Sequence, residues 1–254
     1  MDFPVADITL PAHLEPPAHL EHMVAMRGSG EEAIDLEAGI RLRAIRQEGL
    51  RVGAQTGLAQ RYEMIVSFLK TIEPKLNVTY NFNGFLKDGR LLVPSLVKVE
   101  NSFTIDNAAG TATETRVSYT VEEEASIVST APTWRDYLWR EYAYPEPPHK
   151  SLLPRSDDEA EAWKRALREG WRSGVHQADE SFQDNMARLT LAVEGRHLYT
   201  TLESQRVISP AALQINSSRV TFNGRTMNVG ETLYSVGQPV EYRGSQEWKP
   251  IWTR

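Results

Sequence analysis

The sequence predicts an α+β fold in which long amphipathic helices pack with antiparallel β-hairpins. It forms a single domain over residues 31–254 behind an N-terminal tether over 1–30. Three observations carry this expectation. Apolar residues recur at helical steps between Ser156 and Arg206, and the period falls to two between Asn77 and Thr130. Asp88-Gly89 and Asn223-Gly224 stand where tight hairpin turns require positive φ.

Residues 1–30 hold Pro4, Pro11, Pro16 and Pro17 with Gly28 and Gly30 and show no sustained periodicity, so they read as an extended arm. His13, His19 and His22 lie in that arm and read as solvated, because nothing rigid gathers them around a metal. Ser29 and Glu32 resemble a capping box, and helical spacing follows to about Ile72, with Leu58, Tyr62, Ile65, Leu69 and Ile72 as the apolar stripe. Gly49, Gly53 and Gly57 recur every four residues on one face of this helix. An interior glycine costs roughly 0.5 to 1 kcal/mol against alanine, so three in line call for a backbone in close approach. That backbone belongs either to the same domain or to a partner. Arg41, Arg43, Arg46, Glu48 and Arg51 exclude burial of this helix in a bilayer.

Val97, Val99, Phe103 and Ile105 share one parity, as do Val117, Tyr119 and Val121, the mark of half-buried strands. Phe85, Leu86, Leu91 and Leu92 flank Asp88-Gly89 and give that hairpin apolar shoulders. Trp134, Tyr137, Leu138, Trp139 and Tyr142 form a short aromatic helix that ends before the stiff segment Pro145, Pro147, Pro148. Core burial is expected for at least two of the tryptophans.

Ser156 and Glu159 make a second capping box, with Asp157 and Asp158 beside the positive end of the helix. Trp163, Leu167, Trp171, Val175, Ala178, Phe182, Met186, Leu189 and Val193 then fall on one stripe. At about 1.5 Å per residue a helix from Trp163 to Val193 is about 45 Å long. Gly195 predicts a break, with His197 placed to cap carbonyls there. Beyond Ser209-Pro210 the chain returns to strands, punctuated by Asn223-Gly224, Gly230 and Gly237.

The chain of 254 residues carries a net charge of -6 and no cysteine. That excludes disulfides, thiolate nucleophiles and cysteine metal sites, and an acidic balance argues against direct nucleic-acid binding. No stretch approaches the roughly 20 apolar residues that span a bilayer, so the chain reads as soluble. Phosphate-binding glycine loops, HExxH pairs and serine nucleophile elbows are absent. The best acid-base or metal constellation is His176, Asp179 and Glu180, close together on one helical turn. The plain reading of that cluster is a solvated polar face. Glu122, Glu123 and Glu124 form a short acidic run, while Glu73 and Asp136 show no pairing pattern.

Five strings occur in order: RVGAQTGLAQR (51–61), PTWRDYLW (132–139), SLLPR (151–155), WKRALREGWRSGVHQADESFQDNMARL (163–189) and EWKPI (247–251). From about Glu31 to the end, the chain resembles the DotC lipoproteins of type IVB secretion systems and related conjugation machines. The resemblance implies a non-enzymatic outer-membrane subunit without cofactor. It would sit in the periplasm beside DotD-like and DotH-like core-complex subunits and help place the DotH-like one at the outer membrane. Family members carry a signal peptide and a lipidated cysteine, so the resemblance also implies that Met1 lies just after that cysteine and that residues 1–30 tether the lipid to the core. Neither a small-molecule substrate nor direct nucleic-acid contact is expected. Candidate contact surfaces are the glycines Gly49, Gly53 and Gly57, the hairpin leucines Leu86, Leu91 and Leu92, and Trp139 and Trp248. The alternative is a periplasmic ligand-binding protein or metal-dependent enzyme using His176, Asp179 and Glu180.

Overall fold

The computed structural model describes residues 8–12, 15–29, 35–106, 108 and 110–249. Helices take 49% of the chain and strands 24%, and every paired strand is antiparallel, so the class is α+β as the periodicities require. The order is α1 (Ala18–Val24), α2 (Asp35–Thr71), α3 (Glu73–Thr79), β1 (Leu86–Lys87), β2 (Leu91–Leu92), β3 (Ser95–Asp106) and β4 (Thr111–Glu123). It continues with β5 (Ser126–Ile127), α4 (Trp134–Leu138), α5 (Asp157–Ser204), β6 (Ala212–Asn223) and β7 (Thr226–Gln238).

The chain divides into two compact units. Among the described residues, a helical unit is drawn from Ala6–Leu76 and Tyr137–Met186, and a sheet unit from Asn77–Asp136 and Ala187–Arg254. In the helical unit, α2 and the first part of α5 meet along their glycines. A Cβ on Gly49 would stand 2.9 Å from Ala166 Cβ, one on Gly53 2.2 Å from Leu167 O, and one on Gly57 2.2 Å from Trp171 O. The contact is reciprocal. A Cβ on Gly170 would stand 2.3 Å from Leu50 O, and one on Gly174 2.0 Å from Ala54 O. Numbers rise together on both helices, so they run parallel. Parallel neighbours cannot be joined by a tight turn, and residues 72–156 make the return.

Residues 18–24, read above as part of an extended arm, are helical, and Leu20 and Met23 are fully buried in a cluster with Ile45, Val52, Leu153, Trp163 and Leu167. The described part of the arm is tied at several points. Trp163 Nε1 donates to Met23 O at 2.8 Å, Gly28 N to Pro154 O at 2.8 Å, Arg61 Nη1 to Pro11 O at 2.7 Å, and Gln60 Nε2 to Glu15 O at 2.9 Å. Proline and glycine spacing hid this, because a seven-residue helix gives too short a periodic signal to register. His13 and Glu32 lie outside the described residues. His22 is exposed, and the His19 ring meets Tyr144 edge-on at 6.1 Å.

Capping of α5 follows the sequence, since Ser156 Oγ accepts from Glu159 N at 3.3 Å. The Glu159 carboxylate is drawn to Arg41, whose Nε lies 2.9 Å away and whose other nitrogens donate to Ser151 O and Leu153 O. Of the expected stripe, Trp163, Leu167, Ala178, Phe182, Leu189 and Val193 are buried, and Trp171, Val175 and Met186 are half-buried.

No break occurs at Gly195, and α5 runs 48 residues to Ser204. In the sheet unit Gly195 answers a packing need, because a Cβ there would stand 2.0 Å from Ser95 Oγ and 2.7 Å from Leu96 O. His197 therefore caps no helix end. Its ring meets Phe85 edge-on at 4.7 Å, and burial holds its pKa below the usual histidine range.

Asp88 (φ 51°) and Gly89 (φ 66°) both take the left-handed conformation that a type I′ turn demands, and Arg90 N donates to Lys87 O at 3.1 Å. Strands β1, β2 and β5 form a small three-stranded sheet, while β3–β4 and β6–β7 are separate two-stranded ribbons. Trp134 and Trp163 are fully buried, and Trp134 Nε1 donates to Asn77 Oδ1 at 2.8 Å.

Gly53→Ala gains helix propensity of about 1 kcal/mol but forces a methyl onto Leu167 O, where overpacking costs typically 1–3 kcal/mol. Urea unfolding should show Gly53→Ala destabilised. Gly39→Ala, where nothing lies within 4 Å of a new Cβ, should be neutral or stabilised.

Candidate partner interface

The eight residues nominated by sequence separate by burial. Gly49, Gly53 and Gly57 are filled by α5 of the same unit, so they offer no face to a partner. Leu91 and Leu92 are 0% and 4% exposed and form core; Leu86 is half-buried. Apolar shoulders on a two-residue turn look alike whether they face inward or outward, and only the long-range packing decides.

Trp139 lines a cavity of about 350 Å³ with Ala59, Glu63, Lys70, Tyr142 and Tyr144. The Lys70 ammonium stands 5.2 Å from its ring centroid, and Trp139 Nε1 donates to Glu141 at 3.0 Å. Tyr144 donates to Glu63 at 3.0 Å; burial first, and then that carboxylate, push its phenol up to about 12. Trp248 is 47% exposed and follows a 3-10 turn, Ser245–Glu247, with Nε1 donating to Arg243 O at 2.9 Å. Of the eight, only Trp248 presents a large exposed apolar surface.

His176, Asp179 and Glu180 do not converge. Asp179 accepts from Arg61 Nε at 2.7 Å, whereas His176 pairs with Glu180 at 3.2 Å on the outer face, where both are well exposed. The partner of Asp179 comes from α2, more than a hundred residues away in sequence, so no local spacing announced it. Among the described residues no group of three or more His, Cys, Asp or Glu is placed to hold a metal ion. The acidic run is split in a similar way: Glu123 accepts from Arg196 Nη2 at 2.6 Å, and that guanidinium is buried against the Phe82 ring. No described helix is long and apolar enough to cross a membrane.

The surface that sequence reasoning missed lies on the two ribbons. Val99, Phe103 and Ile105 share one face of β3–β4 and are 42%, 63% and 61% exposed, where half-burial was expected. On β6–β7, Val220 pairs with Val229 and Phe222 with Met227, so all four share a face, and their exposures run from 46% to 76%. Strict alternation correctly marks a strand with an apolar side. It cannot say whether a second layer covers that side.

The folded pKa of Tyr144 lies above the unfolded value of about 10, so its contribution to stability is complete below pH 10 and is lost as pH rises through about 12. Absorbance titration of the phenols should lose a member titrating near 12 in Tyr144→Phe, and Glu63→Gln should move that phenol down without removing it.

No curated protein matches the chain. A family model described as type IV secretory system, conjugal DNA-protein transfer, matches residues 39–250, which takes in nearly all of α2, the whole of α5 and both ribbons. With that match over most of its length, the chain belongs to the T4SS_TraI family of conjugal type IV secretory systems.

Proposed function

We propose that this chain is a structural subunit of the outer-membrane core complex in a type IVB conjugation or secretion machine, of the DotC kind. It is held at the periplasmic face of the outer membrane and helps to place a DotH-like subunit there beside a DotD-like lipoprotein. The observation that carries this reading is the family match over residues 39–250, which sets the chain in conjugal type IV transfer. The ordered strings from RVGAQTGLAQR to EWKPI narrow it toward DotC.

The character of the described surface supports a scaffold. The candidate catalytic trio is dispersed, with Asp179 spent on Arg61, whereas large apolar side chains stand exposed on paired strands and at Trp248. Exposed apolar side chains and rigid local packing suit a component that neighbours grip. Its glycine-locked helices supply the rigidity, because backbones in direct contact leave little room to shift.

Deleting the gene and fractionating the envelope tests the role. A DotH-like partner should move from the outer-membrane fraction to the inner fractions, and conjugal transfer should be lost; both should return on complementation. A DotH-like partner that still reaches the outer membrane in the deletion strain would defeat the proposal.

A further inference from the structure

The cavity lined by Trp139 lies wholly within the helical unit and carries chemistry that the packing of that unit does not use. One face of α2 lines one side, with Ala59, Glu63, Val66 and Lys70 spaced by three or four residues, and the segment 139–144 lines the other. Its volume of about 350 Å³ falls in the range of small-ligand sites, about 300–1,000 Å³. The rings of Trp139, Tyr142 and Tyr144 stand there with the carboxylates of Glu63 and Glu141. Ring faces are negative, so rings and carboxylates together suit a cation.

Lys70 and Arg140 also line the cavity, but the two signs of charge are held differently. Glu63 accepts from the Tyr144 hydroxyl at 3.0 Å and Glu141 from Trp139 Nε1 at 3.0 Å. Both donors are neutral, so each carboxylate is fixed beside a ring with its charge intact, and neither has an ion-pair partner among the described residues. The rings are held as well, Tyr142 edge-on against Tyr62 at 5.1 Å and Tyr144 edge-on against His19 at 6.1 Å. Arg140 donates Nη1 to Trp139 O at 2.8 Å. Lys70 is exposed on a flexible four-carbon stem and meets no carboxylate among the described residues; its ammonium rests over the Trp139 ring, 5.2 Å from the centroid. The negative charges are anchored, whereas the cation on the indole can swing into water.

We propose that this cavity binds an organic cation bearing N–H groups, an alkylammonium or a guanidinium, which displaces Lys70 from Trp139 and hydrogen-bonds Glu63 and Glu141. Lys70 acts as a tethered competitor for the ring, and its own position shows that the indole face takes a cation. The second oxygen of each carboxylate, engaged by no described group, selects a cation with N–H donors over a quaternary one. Rings and carboxylates already held in place spare the ligand the cost of ordering them. A free amine and a lysine or arginine side chain of a protein partner offer the same chemistry. The site goes beyond the proposed role and does not rest on it.

Titration of the full-length protein with putrescine, and separately with N-acetyl-lysine methylamide, tests the site, with N-acetyl-norleucine methylamide as the uncharged control. The Trp139 indole N–H, identified in nitrogen-15 spectra by its loss in Trp139→Phe, should shift saturably with both amines and stay in place with the control. Lys70→Ala should tighten binding several-fold, the opposite of what general damage to the fold produces. Glu63→Gln and Glu141→Gln should each weaken it several-fold with circular dichroism unchanged. Tighter binding of putrescine assigns the site to a free amine, and tighter binding of the lysine derivative assigns it to a basic side chain of a partner; both support the site. Absence of saturable binding, an equal response to the norleucine derivative, or unchanged or weaker binding in Lys70→Ala would overturn it.

Discussion

Direct backbone contact between α2 and α5 is the constraint on which the helical unit depends. At Gly53, Gly57, Gly170 and Gly174 the position a Cβ would take lies 2.0 to 2.3 Å from a carbonyl oxygen of the facing helix, so no other residue type fits without separation of the helices. At that distance the Cα hydrogens face the partner's carbonyls, a weak but repeated attraction, and dispersion is gained along the whole seam. The helix propensity lost at each glycine is offset by close packing that larger residues would forbid.

Once the seam is closed, the large side chains beside it have nowhere to go but sideways. Trp163 and Trp171 flank the glycine rows, and each sends its indole N–H to a partner, Met23 O and Gln60 Oε1 respectively. Those bonds recruit the N-terminal segment, because α2 residues Gln60 and Arg61 also hold Glu15 O and Pro11 O. Arg61 is almost fully buried, and a guanidinium in that position must be neutralised, which explains why Asp179 serves as its counter-ion. In the sheet unit Arg196 solves the same problem with Glu123, Ala192 O and the face of Phe82. Its neighbour Gly195 lets the β3 start approach α5 closely. From each polar cluster that looks like chemistry in the sequence, one carboxylate, Asp179 or Glu123, serves as the counter-charge of a buried arginine.

The ribbons represent the opposite condition. Their turns are well specified, Gly224 taking φ 60° at the tip of β6–β7 and Gly110 φ 63° near that of β3–β4. Their registers run almost without interruption for 12 to 13 residues, with irregularities at Ser95/Leu96 and Ala212/Leu213, the bases of the two hairpins. Yet they end in uncovered apolar side chains. The helix seam is closed by backbone contact, whereas the described ribbons carry exposed apolar side chains along part of their length.

The sequence by itself determined most of the features that depend on neighbours within a few residues. The Ser156 cap, the stripe from Trp163 to Val193, the type I′ turn at Asp88-Gly89, the β6–β7 turn and the parity of the strands all follow from local steric and hydrogen-bonding rules. Even the need for a close neighbour at Gly49, Gly53 and Gly57 was legible, because unpaid glycine entropy requires compensation. Which backbone would come close was not: facing positions such as Gly53 and Leu167 are over a hundred residues apart, and a helix face carries no record of its partner. The same reason hid the docking of residues 8–29, the capture of Asp179 by Arg61, the continuity of α5 through Gly195 and the exposure of Phe103 and Phe222. Local pattern fixes which side of an element is apolar, and only tertiary structure decides what, if anything, covers it.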